Sequence, residues 1–138
     1  MDDGPREVMV ERVDFVSAPT RDLGRAVRFY RDLLGLPVSV DRPEQGYAEV
    51  ETDNLTINLF DPESMGLEFA PNRHLVALRV ADVAEARRKL EAAGVEFEGE
   101  TEDTGVCLIA RFRDPDGNGL LLHHRYAPVA DREPTGSA

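Results

Sequence analysis

Apolar and polar residues follow a pattern along this chain that occurs twice. In each half, a β-rich run precedes apolar residues at the 3.6-residue period of an α-helix, and three further short β-rich runs come after it. The first helix is predicted to begin at a cap formed by Thr20 or Asp22 and to end at Gly35. The second is predicted to begin at Asp82, which opens an Asp-x-x-Glu capping box, and to end at Gly94. The two halves are therefore expected to be copies of one βαβββ plan.

Four strands are predicted in each half. They are 12–18, 36–41, 47–51 and 55–60 in the first half, and 75–80, 95–100, 106–112 and 120–126 in the second. We expect a single domain at 1–126, made of two modules at about 10–61 and 73–126, followed by a flexible tail at 127–138. Because a helix covers one face of each sheet and leaves the other open, the predicted fold class is α+β, with two βαβββ modules forming a cupped mixed sheet.

Composition and charge narrow the class of function. The chain of 138 residues has 16 basic and 27 acidic side chains, for a formal charge of −11, and a nucleic-acid partner would need a basic surface instead. No apolar run approaches the ~20 residues that span a bilayer, and the acidic N-terminus does not resemble a signal peptide. We therefore expect a cytoplasmic protein with no nucleic-acid or membrane partner. The single cysteine, Cys107, excludes an intrachain disulfide and is expected to be a buried, unreactive thiol.

The stretch RFRDPDGNGLLLHH, residues 111–124, is typical of a strand, a tight turn and a second strand. With DLGRAVRFYRDLLGL at 22–36 and LRVADVAEARRKLEAAGVEF at 78–97, this DPDGN turn resembles the vicinal-oxygen-chelate superfamily. That superfamily includes glyoxalases, bleomycin-resistance proteins and extradiol dioxygenases, and the resemblance covers about residues 12–126. It implies the glyoxalase/bleomycin-resistance fold, a small-molecule ligand and a homodimer, since related proteins commonly pair.

The resemblance also implies where a metal ion would bind. Metal-dependent members hold one divalent ion through a histidine on the first strand of each half and a carboxylate on the last strand of each half. The matching histidine positions in this sequence are Phe15 and Leu75, and the matching carboxylate positions are Asn58 and Leu121. Phenylalanine and leucine cannot coordinate zinc, iron or manganese. The expectation is therefore a member without metal or other cofactor.

Alternation of side chains along the strands predicts which residues line the cup. The predicted ligand-binding residues are Phe15, Ser17, Tyr47, Glu49, Thr56, Asn58, Phe60, Leu75, Arg79, Arg111, Leu121 and His123. They combine an apolar wall with a few polar groups, as ligand pockets do. Arg79 and Arg111 either bind a carboxylate or phosphate or pair with Glu49 or Glu51. Alternate positions on the same strands, such as Leu78, are expected to pack under the helices.

Two hypotheses about function follow from these positions. The first is a metal-free small-molecule-binding protein that sequesters an antibiotic-like, aromatic or cationic ligand. The second is a metal-dependent lyase, isomerase or dioxygenase of the same superfamily, with a displaced metal site built from His74, His123 and Glu49. His123 is also the one candidate for a catalytic residue, as a general base in a metal-free enzyme.

Overall fold

The computed structural model describes residues 8–128, which build two four-stranded sheets from consecutive halves of the chain. The first sheet contains β1 (Phe15–Pro19), β2 (Val38–Arg42), β3 (Tyr47–Glu51) and β4 (Thr56–Phe60), in the order β1-β4-β3-β2. The second contains β5 (Val76–Arg79), β6 (Phe97–Asp103), β7 (Cys107–Arg113) and β8 (Gly119–Arg125), in the order β5-β8-β7-β6. In each sheet the first strand runs parallel to the last. The α+β class with two mixed sheets is confirmed.

All eight predicted strands are present, with ends displaced by a few residues. Within residues 8–128 the strands β1 and β5 share no hydrogen-bonded ladder, so each leaves one edge of its sheet free. Most of the tail predicted at 127–138 lies outside the described residues, which end at 128. The two halves are joined by side chains and by the connector, residues 61–75, which links β4 to β5, and not by strand pairing.

Each half carries one α-helix between its first and second strands. The helices are α1 (Leu23–Arg28) and α2 (Val83–Ala92), and they begin after Asp22 and Asp82. Each aspartate accepts a hydrogen bond from the backbone N–H three residues later, at 3.1 and 3.0 Å respectively. The predicted caps at these aspartates are confirmed. None of the helices in the described residues combines the length and the apolar character needed to span a bilayer.

The pattern predicted that the first helix continues to Gly35, but the regular α-helix ends at Arg28. A π-helical turn at Phe29–Leu33 follows α1, and the Leu34 N–H donates to the Phe29 carbonyl at 3.2 Å. Phe29 and Tyr30 are neighbours in sequence and both are buried, with exposures of 7% and 1%. The difference lies in the hydrogen bonding, because this i→i+5 bond makes a wider turn than the i→i+4 bond of an α-helix.

The helices cover one face of each sheet and leave the opposite face open. The first half buries Ala26 and Val27 of α1 with Ala48, Val50, Ile57 and Leu59 of its sheet, and the second half buries Val83 and Leu90 of α2 with Ala110, Phe112, Leu120 and Leu122. All of these side chains belong to one hydrophobic core. The side chains that alternate with them along the strands therefore point away from the helices.

A buried carboxylate in the DPDGN turn links the two halves. Asp114 is 5% exposed and accepts the hydroxyl of Tyr30 at 2.7 Å and the side-chain amide of Asn118 at 2.8 Å. It also accepts the backbone N–H groups of Asp116 and Asn118, both at 2.9 Å. Burial raises the pKa of Tyr30 well above its ordinary value, and the charge of Asp114 and the hydrogen bond to it act in the same direction.

The same turn holds β1 and the connector. The side chain of Asn118 donates to the Pro19 carbonyl at 2.9 Å and accepts the Asn72 backbone N–H at 2.7 Å. Asp116 forms an ion pair with Arg25 of α1 at 2.9 Å. The turn therefore fixes the first half relative to the second through several hydrogen bonds that cross between them.

Replacing Tyr30 tests this link. We expect Tyr30→Phe to lower the free energy of unfolding by about 1–3 kcal/mol, because the buried Asp114 carboxylate loses a donor. Tyr47→Phe is the matched control, since the tyrosine hydroxyls that form hydrogen bonds in the described residues are those of Tyr30 and Tyr126. Urea denaturation followed by circular dichroism measures both variants. Equal losses in the two variants would contradict the proposed link.

The raised pKa of Tyr30 predicts a loss of stability in alkali. The contribution is fully present below about pH 10, the ordinary pKa of tyrosine, and is lost as the pH rises toward the higher pKa of the folded state. Above about pH 10, the free energy of unfolding of the wild type should therefore fall more steeply than that of Tyr30→Phe. Denaturation series across this range measure both slopes, and parallel slopes would argue against the assignment.

Candidate ligand-binding site

The surface of the first sheet that faces away from α1, which we call the first face, contains every site residue predicted in the first half. Its members are Phe15, Ser17, Tyr47, Glu49, Glu51, Thr56, Asn58 and Phe60. Phe15 is 53% exposed, and the others are half-buried. The first face is thus a partly open surface made by β1, β3 and β4.

Cross-strand register sets an aromatic pair beside a polar group on the first face. Asn58 on β4 lies between Ser17 on β1 and Glu49 on β3, and Phe60 lies opposite Tyr47. Side chains directly opposite one another have Cβ atoms about 4.5–5.5 Å apart. A ligand that touches Asn58 can therefore also reach the two rings.

Some polar side chains of the first face have hydrogen-bond partners and others have none. Glu51 accepts the hydroxyls of Ser39 and Thr56, the latter at 2.6 Å, and these hydrogen bonds lower the pKa of Glu51. The side chain of Glu49 is half-buried and forms no hydrogen bond or ion pair within residues 8–128. Asn58 Oδ1 is buried and has no hydrogen-bond partner in this part of the chain. Asn58 Oδ1 and the Glu49 carboxylate are therefore neighbouring acceptors that receive no hydrogen bond from the described residues.

The second face is the surface of the second sheet that faces away from α2. Its predicted members are Arg79, Arg111, Leu121, His123 and, directly before β5, Leu75. Arg79 lies opposite His123, and Leu121 lies opposite both Ala77 and Arg111. Leu121 is 8% exposed and Leu75 is 41% exposed. Apolar and basic side chains thus share this surface.

The arginines of the second face differ in their partners. Arg111 pairs with Glu102 on β6 at 2.9 Å. It does not pair with Glu49 or Glu51 of the first face, which was one of the two alternatives for this arginine. Neither Arg79 nor His123 has an ion pair or a side-chain hydrogen bond with another described residue. The guanidinium of Arg79 and the imidazole of His123 are therefore both available to a ligand.

One chain does not bring the two faces together in a common cavity. None of the four cavities found in residues 8–128 contains more than one of the predicted site residues. Phe15 and Leu75 lie beside the free edges of β1 and β5, on the first and second face respectively, and both are exposed. The structure thus supplies two separate surfaces in place of the enclosed cup that the sequence pattern suggested.

A cavity of about 620 Å³ lies elsewhere and, apart from Arg79, is lined by residues that were not predicted to form the site. It runs along the free edge of β5 and is lined mainly by aliphatic side chains of both halves, among them Leu34, Leu55 and Val80. The sequence pattern could show only that such residues pack under a helix. The hydroxyl of Thr52, which also lines the cavity, donates a hydrogen bond to the Leu55 carbonyl. The cavity also borders Asp53 and Arg79, but its lining includes neither Glu49 nor Asn58 of the first face, so we assign the candidate site to the two faces.

The four positions that the resemblance assigns to metal ligands do not fit an ion here. Phe15 is an exposed ring on one face, Leu75 and Leu121 are aliphatic groups on the other, and Asn58 offers only an amide. A divalent ion in a site of nitrogen and oxygen ligands needs three or more converging donors. We therefore derive no chemistry through a metal at these positions.

The displaced metal site also lacks its geometry in one chain. Within residues 8–128 no three histidine, cysteine, aspartate or glutamate side chains come together to hold an ion. His74 precedes β5, His123 lies on β8, and Glu49 lies on β3 of the other sheet. These three residues are therefore not assembled by the described part of the chain.

The side chains of Cys107 and His124 lie in structural surroundings. Cys107 is buried, with 7% exposure, and its Sγ lies 3.1 Å from the hydroxyl of Thr104. The Nδ1 atom of His124 lies 3.0 Å from the Val80 carbonyl, on the side of the sheet opposite His123. The expectation of a buried thiol is confirmed, and His124 helps to hold the end of β5.

Comparisons with known proteins agree with this architecture. Residues 12–122 match the Glyoxalase/Bleomycin resistance protein/Dioxygenase superfamily. YraH, an uncharacterised protein of Bacillus subtilis (strain 168), is 33% identical over 114 residues, which cover 74% of this chain and 89% of YraH.

Two solved structures have a similar fold. TnmS3, an antibiotic-binding protein from Streptomyces sp. CB03234, superimposes with a TM-score of 0.72 at 25% identity, over 86% of this chain and 99% of its own. Lactoylglutathione lyase from Agrobacterium tumefaciens gives 0.71 at 21% identity, over 83% and 94%. The repeated modules, the DPDGN junction and the family match together show that this chain belongs to the glyoxalase/bleomycin resistance protein/dioxygenase superfamily.

Proposed function

We propose that this chain is a metal-free small-molecule-binding protein that sequesters a ligand with an aromatic ring and a protonated nitrogen. The observation that carries the proposal is the buried Asn58 Oδ1, which has no hydrogen-bond partner among the described residues and lies beside Glu49. A buried acceptor without a donor costs about 1–3 kcal/mol. A ligand that donates a hydrogen bond there would remove this cost.

The neighbours of Asn58 favour a cationic aromatic ligand. The carboxylate of Glu49 complements a positive charge, and a hydrogen bond between charged groups is about twice as strong as a neutral one. Tyr47 and Phe60 offer rings on which an aromatic group can stack or over which a cation can lie. The formal charge of −11 also favours a cation over an anion as the ligand.

The similarity to TnmS3 supports binding over catalysis. TnmS3 is an antibiotic-binding protein, and it shares both the fold and 25% of aligned residues with this chain. The similarity to lactoylglutathione lyase, at 21% identity, concerns the fold alone. An antibiotic-like molecule is therefore the ligand class that we propose, acting in the cytoplasm.

We also propose that two copies pair to complete the site, with the first face of one copy opposite the second face of the other. Both faces are open in one chain, and Phe15 and Leu75 expose 53% and 41% of their surface beside free strand edges. The aliphatic cavity along β5 gives a partner further apolar surface to cover. A homodimer would bury these groups and enclose the ligand.

Asn58→Leu tests whether the buried Asn58 Oδ1 lacks a hydrogen-bond donor. Leucine has a similar volume and needs no hydrogen-bond donor, so we expect it to raise the free energy of unfolding by about 1 kcal/mol while it abolishes ligand binding. Asn72→Leu is the matched control and should lower stability, because Asn72 Nδ2 donates to the Ser17 carbonyl at 2.6 Å. Urea denaturation measures stability, and thermal shift with metal-free bleomycin and a panel of aromatic amines measures binding.

In the wild type, a ligand at 100 times its Kd should stabilise the fold by about 2.7 kcal/mol. A loss of stability in Asn58→Leu as large as that in Asn72→Leu would show that the amide is satisfied. Ligands that bind Asn58→Leu as well as the wild type would place the site elsewhere.

Mixing two variants tests the shared site. Asn58→Leu alters the first face, and Ala77→Trp fills the second face at an exposed position opposite Leu121. If the faces belong to different copies, half of the randomly paired dimers contain one intact site, so binding should return to about a quarter of the wild-type capacity. No recovery in a mixture that forms heterodimers would exclude a site shared in this way.

Metal analysis separates binding from metal-dependent catalysis. Protein purified without chelator should contain no stoichiometric zinc, iron, manganese or nickel, because the family's ligand positions carry side chains that do not fit a cation. Inductively coupled plasma mass spectrometry measures the content. Stoichiometric metal that disappears in His123→Ala would favour the lyase, isomerase or dioxygenase hypothesis instead.

A further inference from the structure

We infer that the ligand is a zwitterion, whose protonated nitrogen binds Glu49 and Asn58 and whose carboxylate binds Arg79 and His123. This inference rests on the proposed function and names the class of molecule that the two faces recognise together. Outside the outer strands β2 and β6, the acidic or basic side chains left without a partner among the described residues are acidic on the first face and basic on the second.

The first face retains acceptors. Glu51 is satisfied by two hydroxyls, from Ser39 and Thr56, so Glu49 is the carboxylate left without a partner among the described residues. Asn58 Oδ1 adds a second acceptor next to it. Arg42 lies on the outer strand opposite Tyr47 and makes no ion pair with Glu49 in the described chain. These groups suit a protonated amine.

The second face retains donors. Two of its outer acidic side chains are matched, since Glu102 pairs with Arg111 at 2.9 Å and Glu98 pairs with Arg113 at 2.6 Å. These pairs lie on β6 and β7, toward the outer edge of the sheet. Arg79 on β5 lies directly opposite His123 on β8, and no described acidic side chain bonds to either. These neighbours offer a guanidinium and an imidazole to one anionic group.

A purely cationic ligand would leave the second face unsatisfied. When a site closes, a guanidinium that loses water without gaining an anion carries a large desolvation cost. A carboxylate removes that cost and matches the planar fork of arginine with two parallel hydrogen bonds. A single carboxylate also suits an acidic protein better than a multiply charged phosphate, because the net charge of −11 repels polyanions.

Three compounds that share one phenol ring test the inference: tyrosine as the zwitterion, tyramine as the cation and 3-(4-hydroxyphenyl)propanoate as the anion. Titration of the ¹⁵N-labelled protein, followed by backbone amide shifts, measures each Kd. We expect tyrosine to bind about tenfold more tightly than either singly charged compound, because it alone meets both faces.

Two variants assign the ends of the ligand. Arg79→Gln should weaken tyrosine binding about tenfold and leave tyramine binding unchanged, whereas Glu49→Gln should weaken both compounds and spare the propanoate. Arg28→Gln is the control for Arg79→Gln. It removes an exposed arginine of α1 that also has no ion pair in residues 8–128, and it should change none of the three affinities.

The outcomes separate this inference from the proposed function. If tyramine binds the wild type as tightly as tyrosine, and Arg79→Gln changes neither affinity, the ligand is a simple cation; the zwitterion inference is then overturned while the proposed function stands. If the propanoate binds most tightly, both are overturned, because the first face would then not select a cation. Failure of all three compounds to shift either face at millimolar concentration would overturn the zwitterion inference, whereas the proposed function is overturned only if metal-free bleomycin and the aromatic amines also fail to bind.

Discussion

The arrangement of the two halves depends on the buried carboxylate of Asp114. A charge removed from water destabilises a fold unless donors surround it, and here the phenol of Tyr30, the amide of Asn118 and two backbone N–H groups do so. Tyr30 belongs to the first half and the other donors to the second. If the two halves separated, the Asp114 carboxylate would lose the hydrogen bond from Tyr30. This cost holds the open faces in a fixed relative position.

Local signals allowed most of the fold to be predicted from the sequence. The caps at Asp22 and Asp82 and the eight strands follow from short patterns whose physics is contained in a few neighbouring residues. The π-helical turn at Phe29–Leu33 was not predictable, because the apolar residues before Gly35 also fit a regular helix. Only the packing of Phe29 against distant residues decides between the two forms.

The sequence predicted which site residues share a surface, but it did not predict which side chains pair with one another. Strand alternation correctly grouped Ser17, Glu49 and Asn58 on one surface, since side-chain direction is a local property. The pairing of Arg111 with Glu102 and the unsatisfied oxygen of Asn58 depend on register and burial, which no short pattern contains. The separation of the two faces was also not predictable. Local patterns determine how each half folds, but they do not determine how far apart the two halves lie.

The π-helical turn has a consequence for how this chain can change over evolution. Such a turn accommodates one residue more than an α-helix of the same rise, and here it contains the buried Phe29 and Tyr30. Deleting a single amino acid from this segment would rotate the tyrosine away from Asp114, in the other half of the molecule. The length of one short helical segment is thereby tied to a turn in the other half, so the two halves cannot gain or lose residues there independently.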